Sequence, residues 1–447
     1  MSDKPKLTRR NFLKSSAAAG LGLAVTRHAP GQEDKSGIPP SDKLNLAFIG
    51  TGVQGRVLIE SCLRIPGLRF AAVCDIWEYS QRYASRYLLK YGHDVNVYED
   101  YRDMLAREKD LDAVIVATPD WMHAEHTNAC LRAGCHVYCE KEMSNSLAGA
   151  NSMAETAKQT GKLLQIGHQR RSNPRYIHAI DRLIRKHAVL GRTSKAYAQW
   201  NRSKSDMLGW PDRYAIPPAK LKKYGYSSME AFRNWRWFKK YGGGPLVDLG
   251  SHQIDLFSWV FGTPPRTVFA AGGTDYYENR EWFDNVMTIY EFDTGSGTAR
   301  AFYQVLTTTK HGGFYETFMG DMGSLVISEV PEMGNWAMRE AHAPEWDSLV
   351  QEGLLESETP PLQKVDTRNI FLDVRVTVEA GRWPLPVELA KPAHQSHLEN
   401  FFSAVRSGTP LTCPPETGYE TAVAVLKANE AVKSQRIYEF KPDEFKA

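Results

Sequence analysis

Short apolar runs alternate with helical stretches over the first third of the chain. Residues 44–49 (LNLAFI), 69–74, 112–117 (DAVIVA) and 136–139 have the length and composition of buried strands, and residues 125–133 have a helical pattern. Strands that alternate with helices predict a parallel, doubly wound sheet of the α/β class. Ligands bind such sheets at the carboxyl ends of the strands, so the residues after each run are candidate binding residues.

The second half of the chain has a different pattern. It contains several strand-like runs, a helix predicted from about Pro245 to Phe261, and two helical runs near its end, the first ended by Gly408. The strand-like runs are 267–271, 286–292, 298–305 and 324–327, and the terminal helical runs are 398–407 and 419–433. We expect the two terminal helices to close the second domain.

With 447 residues the chain is too long for one ordinary core, which predicts two domains with extensions. We place a signal and linker at residues 1–41, a dinucleotide-binding domain at 42–166 and a second domain at 167–447. Residues 310–392 have the least regular pattern. The acidic part of that region, residues 333–361, is interpreted as a surface insertion.

Composition narrows the class of protein. Lysine and arginine number 55 against 52 acidic residues, and a net charge of +3 argues against nucleic acid as the main partner. Six cysteines form neither a CxxC pair nor a Cys/His spacing typical of zinc, so we predict free, buried thiols and no metal. No apolar run reaches the roughly 20 residues that a membrane-spanning helix needs.

The N-terminal residues have the pattern of a twin-arginine export signal. TRRNFLK at residues 8–14 precedes a mildly apolar run, 15–25, that is rich in alanine and glycine. A basic tail with a chance Arg-Arg pair is the less favoured alternative. We therefore expect a periplasmic or otherwise exported protein. No clear cleavage site follows, because Ala29 is followed by Pro30.

A glycine-rich loop directly follows the first strand and precedes a helical run. Its sequence is GTGVQG, and its candidate cofactor-binding residues are Gly50, Gly52, Val53, Gln54 and Gly55. In this context the first glycine allows a tight turn, the second lets the backbone approach a pyrophosphate, and the third lets helix and strand pack closely. The loop therefore predicts a dinucleotide site.

Asp75 ends the second strand, twenty residues beyond Gly55, where a carboxylate binds the adenosine ribose hydroxyls. Its charge would repel a 2′-phosphate, and no arginine follows it directly. We therefore favour NAD over NADP, although Arg82 or a distant basic residue could reverse that preference. The alternative is an aspartate that only caps the next helix.

The order of these motifs resembles the Gfo/Idh/MocA family of glucose-fructose oxidoreductases, inositol dehydrogenases and rhizopine-catabolism proteins. The matching segments follow one another along most of the chain: GTGVQG, Asp75, TPDWMH at 118–123, CEKE at 139–142 and GGGPLVDLGSHQIDL at 242–256. The resemblance implies a second α/β domain whose open, mostly antiparallel sheet covers the nicotinamide and often forms an oligomer interface. It also implies cofactor contacts from Thr118, Pro119, His123, Glu140 and Lys141, and a homo-oligomer, either dimer or tetramer.

The resemblance further implies a catalytic set of Lys141, Asp248 and His252. Oxidation of a carbinol needs a group within hydrogen-bond reach that takes the hydroxyl proton. We assign that role to His252, substrate orientation to Asp248, and stabilisation of alkoxide charge to Lys141. The interval of four places Asp248 and His252 on one helix face. A helix cap, a packing histidine and an exposed lysine are the ordinary alternatives.

Glu142 departs from the resemblance, because proline is expected after the lysine. A cis bond before a glutamate costs about 2.5–4 kcal/mol, so we expect this loop to be either trans or strained. A nearby carboxylate would also favour the charged form of Lys141 and make it a better hydrogen-bond donor than base. For that reason we place the base on His252.

Candidate substrate residues lie in two further segments. Arg171 occupies the entry to the second domain, where a helix-entry ion pair is an equal alternative to a substrate contact. Trp235 and Arg236 belong to an aromatic, basic stretch between Trp200 and Gly244, and we favour them as walls of a carbohydrate site. At least half of the aromatic residues in this stretch are expected to fill a core or an interface.

Three functions follow, in order of preference. The first is an NAD-dependent dehydrogenase acting on the CH–OH group of a sugar, polyol or glycoside. The second, known from the glycosidase branch of the family, uses transient oxidation and elimination. That branch lacks the lysine, so Lys141 argues against it. The third is a ligand sensor without activity, which the presence of all three catalytic residues makes the least favoured.

Overall fold

The computed structural model describes residues 43–360 and 381–447. The predicted export signal at 1–41 lies outside these residues, and so does the part of the irregular 310–392 region from 361 to 380. Within the described ranges, no helix is both long and apolar enough to cross a lipid bilayer.

The N-terminal sheet has six parallel strands in the order β3-β2-β1-β4-β5-β6. Helices cover both of its faces, which explains why its central strands β1 and β4 are almost entirely apolar. The strands are β1 Leu44–Ile49, β2 Leu68–Cys74, β3 Asn96–Tyr98, β4 Ala113–Val116, β5 His136–Cys139 and β6 Leu164–Ile166. The helices are α1 Val53–Cys62, α2 Glu78–Leu89, α3 Tyr101–Arg107, α4 Asp120–Arg132 and α5 Leu147–Thr160.

This sheet confirms the predicted doubly wound fold. The helix predicted from residue 125 begins earlier, at Asp120, because Pro119 is its N-cap and Asp120 lies in its first turn. An acidic side chain in the first turn stabilises a helix N-terminus. The early start places Thr118 and Pro119 at the carboxyl end of β4.

The second sheet has nine strands in the order β14-β13-β12-β11-β7-β10-β9-β8-β15. All neighbours are antiparallel except β7 and β10, as expected for a mostly antiparallel sheet. The strands are β7 Thr193–Asn201, β8 Thr267–Gly273, β9 Asn285–Thr294, β10 Gly297–Leu306, β11 Phe314–Gly320, β12 Gly323–Ile327, β13 Trp336–Arg339, β14 Trp383–Pro384 and β15 Tyr438–Glu439. The four predicted runs lie in β8, β9, β10 and β12, whereas the central strands β7 and β11 were not predicted.

Helices of the second half connect the two sheets. A π-helical segment, His178–Lys186, follows α6. The helices are α6 Pro174–Ile177, α7 Pro218–Lys223, α8 Met229–Arg233, α9 Gly244–Phe261, α10 Asp347–Gln351, α11 Gln395–Ser407 and α12 Pro415–Ser434. The predicted helix 245–261 agrees with α9 to within one residue.

Helix α11 corrects one expectation. We expected it to close the second domain, but Leu398, Phe401 and Phe402 pack into the same apolar cluster as Leu46 and Phe48 of β1. The apolar side of α11 is therefore buried against the first sheet. Helix α12 instead contacts α9, β8 and α5. The domain boundary between 166 and 167 stays a prediction.

The six cysteines are free and buried, which confirms the prediction that they are core thiols. Five of them belong to the first domain as predicted here, and Cys413 lies beside β6, where its carbonyl accepts from the Ile166 amide. Burial raises the pKa of Cys135 to about 11. A buried thiol with a raised pKa behaves as a small apolar side chain.

A buried ion pair connects the chain after β6 to the second sheet. Arg170 Nη1 lies 2.5 Å from Glu316 Oε1 of β11, and both side chains are at most 1% exposed. Arg170 Nε also donates to Glu329 at 3.0 Å, and the Tyr176 hydroxyl donates to Glu316 at 2.7 Å. Removal of one partner of such a pair leaves an uncompensated charge in the interior.

We expect Arg170→Met to lower the free energy of unfolding by about 3–5 kcal/mol, because Glu316 would stay buried without its cation. The matched control is Arg300→Met, which removes an exposed pair with Glu291 and should cost less than about 1 kcal/mol. Urea denaturation of both variants measures the difference. Equal losses in the two variants would contradict the assignment of Arg170 as a structural anchor.

Candidate active site

A cavity of about 1630 Å³ lies at the carboxyl ends of the first sheet's strands. Its walls include the loop between β1 and α1, helix α9 and the chain after β7. Side chains from both halves of the chain line it. This is the position at which a parallel α/β sheet binds ligands.

The glycine-rich loop has the shape that a dinucleotide needs. Gly50 has φ +90°, and a Cβ there would lie 2.6 Å from the Ala117 carbonyl carbon. A Cβ on Gly55 would lie 2.1 Å from the Gly50 oxygen, so α1 packs closely against the turn. A Cβ on Gly52, by contrast, would project into open space. The open side at Gly52 leaves room for a pyrophosphate, so the loop fits the cofactor.

The first turn of α1 faces the same space. Its first intrahelical bond runs from the Arg56 amide to the Gly52 carbonyl, so the amides before Arg56 have no partner within the helix. Val53 and Gln54 line the cavity. The Gln54 side chain donates to Glu140 Oε1 at 3.1 Å and lies 3.0 Å from His394 Nε2.

Asp75 lies at the cavity wall, and its carboxylate fixes two turns. Oδ2 accepts from the Thr51 amide at 2.8 Å and the Thr51 hydroxyl at 3.2 Å, while Oδ1 accepts from the Trp77 amide at 2.9 Å. Burial raises the pKa of Asp75 above its usual value, and these hydrogen bonds oppose that rise. The carboxylate therefore shapes the backbone of both turns, although the helix that follows has Trp77 as its N-cap and no side-chain cap hydrogen bond. Arg82 pairs with Glu78 and does not line the cavity.

The loops after β4 and β5 are joined by His123. Its Nε2 lies 2.7 Å from the Thr118 carbonyl and its Nδ1 lies 2.7 Å from the Glu142 carbonyl. The ring is 1% exposed and does not line the cavity, and burial lowers its pKa to about 4. This corrects our expectation of a cofactor contact: His123 holds two loops together. Thr118 and Pro119 do line the cavity.

Lys141, Asp248 and His252 meet on one wall. Lys141 Nζ donates to the main-chain carbonyl of Asp248 and lies 3.4 Å from its Oδ1. His252 follows one helical turn later on α9 and also lines the cavity. The three predicted catalytic residues therefore lie together, although more than one hundred residues separate Lys141 from the other two.

Burial and neighbouring charges determine the protonation of this group. Burial raises the pKa of Asp248, but the charges of Arg236, Lys141 and Arg202 outweigh it and hold the pKa well below its usual range. Burial and the charge of Lys141 lower the pKa of His252 far below its usual value, so the ring is neutral at neutral pH. Its Nδ1 is buried without a hydrogen-bond partner among the described residues. A neutral imidazole can accept a proton.

We expected the Glu142 carboxylate to favour the charged form of Lys141, and the structure differs from that expectation. The Lys141–Glu142 peptide bond is cis. Burial raises the pKa of the Glu142 carboxyl to about 8, and the charge of Asp120 adds to that effect. Because the carboxyl is mostly protonated at neutral pH, it gives Lys141 little charge support. Asp248 is the ionised partner of Lys141 instead.

The predicted substrate residues divide into two groups. Trp235 and Arg236 line the cavity, and Arg236 Nε donates to Asp248 Oδ1 at 3.1 Å. Arg171 does not line it, because its guanidinium binds Asp255 through contacts of 2.8–2.9 Å. The structure therefore contains the ion pair that was the alternative expectation for Arg171. Asp255 lies one turn after His252 on α9.

Most aromatic residues of the stretch after β7 are structural. An apolar cluster joins them to Trp77 beside the nucleotide end of the cavity, and Trp77 Nε1 donates to the Tyr214 carbonyl at 2.6 Å. Its members from this stretch include Trp210, Tyr214, Tyr226, Phe232, Trp235 and Tyr241. Trp200 lies outside that cluster and stacks on Phe314 with a centroid distance of 4.4 Å.

Two residues of the site were missed by the sequence analysis. Asp120 lines the cavity with Oδ2 buried and without a hydrogen-bond partner in the described chain. Burial and the charge of Asp248 raise the pKa of Asp120 to about 7, despite Arg236 and Lys141. The motif TPDWMH contains this residue, but the predicted helix began only at residue 125, and Asp120 was not assigned a role. His394 reaches Gln54 across 340 residues, and no local pattern marks such a contact.

Three family models match the sequence. The oxidoreductase family with an NAD-binding Rossmann fold matches residues 44–168, and its C-terminal α/β domain matches residues 218–440. The signal of the twin-arginine translocation pathway matches residues 6–26, which confirms the export prediction.

Curated relatives match parts of the chain. A D-glucoside 3-dehydrogenase of Escherichia coli is 31% identical over 226 residues, which cover 50% of this chain and 56% of that protein. A glycosyl hydrolase family 109 protein of Streptomyces coelicolor is 32% identical over 187 residues, covering 37% of this chain and 39% of that protein. The matches thus span about half of these relatives or less.

Solved structures share the whole fold. A levoglucosan dehydrogenase in complex with NADH superposes with a TM-score of 0.65 at 18% identity, over 89% of this chain and 99% of that one. Both family domains, in the predicted order, match the two sheets that enclose the cavity. The chain belongs to the Gfo/Idh/MocA oxidoreductase family.

Proposed function

We propose that this protein is an exported, NAD-dependent oxidoreductase acting on a CH–OH group of a sugar, polyol or glycoside. The observation that carries the proposal is the meeting of Lys141, Asp248 and His252 on a cavity that the glycine-rich loop also lines. When bound, the nicotinamide accepts or donates the hydride. The residues that would hold the cofactor are Gly50, Gly52, Val53, Gln54, Asp75, Thr118, Pro119 and Glu140.

The chain's own residues handle the proton. In the oxidation direction, the neutral His252 ring accepts the substrate's hydroxyl proton as the C–H hydrogen leaves with its electron pair for the cofactor. The Lys141 ammonium group stabilises the negative charge that develops on the substrate oxygen. Ionised Asp248 keeps Lys141 in place and can accept a hydrogen bond from a neighbouring hydroxyl.

Two other functions are weaker candidates. A redox glycosidase is favoured by the glycosyl hydrolase family 109 relative. The presence of Lys141, and its contact with Asp248, supports the dehydrogenase instead. A sensor without activity would have no need of a proton acceptor beside the cation, so this is the least favoured reading.

The adenosine end of the cavity supports NAD. Asp75, Glu99 and Asp100 line it, and their carboxylates disfavour the additional phosphate of NADP. Lys220 is held by Glu99 at 2.6 Å, and Arg102 by Glu125 at 2.6 Å. These two cations are therefore already paired, whereas Arg233, which also lines the cavity, lies over the Trp77 ring and donates to the Gly209 carbonyl.

The second sheet supports a homo-oligomer, either dimer or tetramer. Its outer face exposes large apolar side chains, with Phe269 46% and Ile289 40% accessible. Tyr197 and Phe302 form a stacked pair on neighbouring strands of the same sheet. Contiguous exposed apolar side chains are typical of protein–protein interfaces.

We expect His252→Ala to lower kcat by at least about 100-fold, because the proton acceptor is lost, while the Kd for NADH changes less than about twofold. Nucleotide reduction with a panel of sugars and polyols measures turnover, and NADH fluorescence measures binding. His342→Ala, an exposed histidine outside the cavity, is the control. Normal turnover by His252→Ala would refute the assignment.

Protein purified in its folded state should release NAD rather than NADP when it is denatured, as measured by mass spectrometry. The protein should also bind NADH at least about tenfold more tightly than NADPH, because of the carboxylates at the adenosine end. Arg82→Gln should leave that preference unchanged, since Arg82 pairs with Glu78. Released NADP would overturn the assignment of Asp75.

We expect the Kd of NAD⁺ relative to NADH to fall several-fold as pH rises from 6 to 8. The pKa of Asp120 is about 7, so its carboxyl becomes negative over this range, and only the oxidised nicotinamide carries a positive charge. Asp120→Asn should flatten the dependence, and Asp212→Asn, at an exposed position, should not. Fluorescence titration at each pH measures both constants. The same slope in Asp120→Asn would contradict the role given to Asp120.

A further inference from the structure

The wall that holds the catalytic residues contains three cationic side chains. Lys141, Arg202 and Arg236 line it together. Asp248 is the ionised carboxylate close to all three, and each of them acts on its pKa. Asp120 also faces this group, but half of its carboxyls are protonated near pH 7. Glu140 lines the same cavity and acts on Arg236, so the three cations face Asp248, Asp120 and Glu140.

Arg202 is the cation whose charge is least satisfied. Its backbone is fixed directly after β7, where its amide donates to the Leu306 carbonyl of the parallel strand β10. Its guanidinium carbon lies 5.3 Å from the centre of the Trp200 ring, and the side chain is exposed to the cavity. In the described part of the chain the guanidinium has neither a hydrogen bond nor an ion pair. A guanidinium in this state can bind an anion in two parallel hydrogen bonds.

Arg236 supplies a second set of donors. Its Nε is used by Asp248, and its carbon lies 4.2 Å from the centre of the Trp235 ring. Its two terminal amino groups make no hydrogen bond within the residues that the structure describes, and the side chain is 46% exposed. Stacking on a flat ring restricts the guanidinium, so less conformational entropy is lost when it binds an anion.

The two arginines lie beside the reaction site. The centre of the Trp200 ring is 5.6 Å from the centre of the His252 ring and 5.3 Å from the guanidinium carbon of Arg202. Arg236 and Lys141 both contact Asp248 Oδ1. A sugar ring that places its hydroxyl against His252 would therefore carry a neighbouring substituent toward Arg202 and Arg236.

Arg202 and Arg236 do not lie where the nucleotide phosphates would bind. The amides that would bind a pyrophosphate belong to the first turn of α1, where Gln54 contacts Glu140 and His394. Arg202 instead leaves the second sheet beside Trp200, and Arg236 lies just before α9. Both therefore belong to the wall on which the substrate would bind.

We propose that Arg202 and Arg236 form an oxyanion subsite, and that the substrate is a carbohydrate bearing a carboxylate or phosphate group close to the carbinol that reacts. The inference rests on the proposed function, because it takes His252 as the point at which the hydroxyl binds. It narrows the substrate class from neutral sugars and polyols to acidic carbohydrates.

Binding of defined probes to the full NADH-loaded protein tests this subsite. Tryptophan fluorescence and calorimetry would compare glucuronate, gluconate, glucose 6-phosphate and neutral glucose. We expect at least one acidic probe to bind at least tenfold more tightly than glucose, with an affinity that falls as salt increases. The carboxylate and phosphate arms show which anion the subsite prefers.

Variants identify the residues that bind the anion. Arg202→Gln should weaken binding of the acidic probe about tenfold or more while changing the affinities for glucose and NADH little. Arg236→Gln should weaken binding of the acidic probe by a larger factor than binding of glucose. Arg213→Gln, which removes an arginine outside the cavity, should change none of these affinities. Acidic probes that bind no better than glucose, or losses that are equal for acidic and neutral probes, would overturn the subsite.

The outcomes also separate this inference from the proposed function. Tight, arginine-dependent binding of an acidic probe without any nucleotide reduction would support the subsite and count against the oxidoreductase. Reduction of nucleotide with neutral sugars, and no preference for acidic probes, would support the oxidoreductase and overturn the subsite.

Discussion

The contact between Lys141 and Asp248 is the interaction on which the site depends. Lys141 follows a strand of the parallel sheet, and Asp248 lies on the helix that packs beneath the second sheet. Their hydrogen bond and charge attraction join the loop after β5 to α9. The same contact leaves His252, one helical turn after Asp248, on the cavity that the glycine-rich loop also lines. Catalysis by proximity requires groups that are held in place in this way.

Burial gives each titratable group of the cavity a different protonation state. His252 is kept neutral, Asp248 is kept ionised by its cations, and Asp120 is poised near neutrality. In water the Asp248 and Asp120 carboxyls would both be ionised at pH 7. Pairs of groups whose pKa values are driven apart by their surroundings are a mark of acid–base chemistry. The same surroundings leave Arg202 and Arg236 with unused donors.

Local patterns predicted the parts of the structure that depend on local chemistry. The GTGVQG loop, the apolar parallel strands and the α9 helix follow from residue type and spacing, and the resemblance supplied the catalytic trio. Strands β7 and β11 were not predicted, because aromatic and polar residues interrupt their apolar pattern. The pairing of Arg171 with Asp255, the packing of α11 on β1 and the reach of His394 to Gln54 depend on distant contacts, which no local pattern encodes.

The central claim is that a nicotinamide ring lies between the glycine-rich loop and the wall formed by Lys141, Asp248 and His252. A crystal structure of the protein with NADH and a bound carbohydrate tests it most directly. We expect the nicotinamide C4 within about 3.5 Å of the reacting carbon, whose oxygen lies within hydrogen-bond reach of His252 and Lys141. A nicotinamide bound outside this wall, or a carbohydrate oxygen held by other residues, would contradict it.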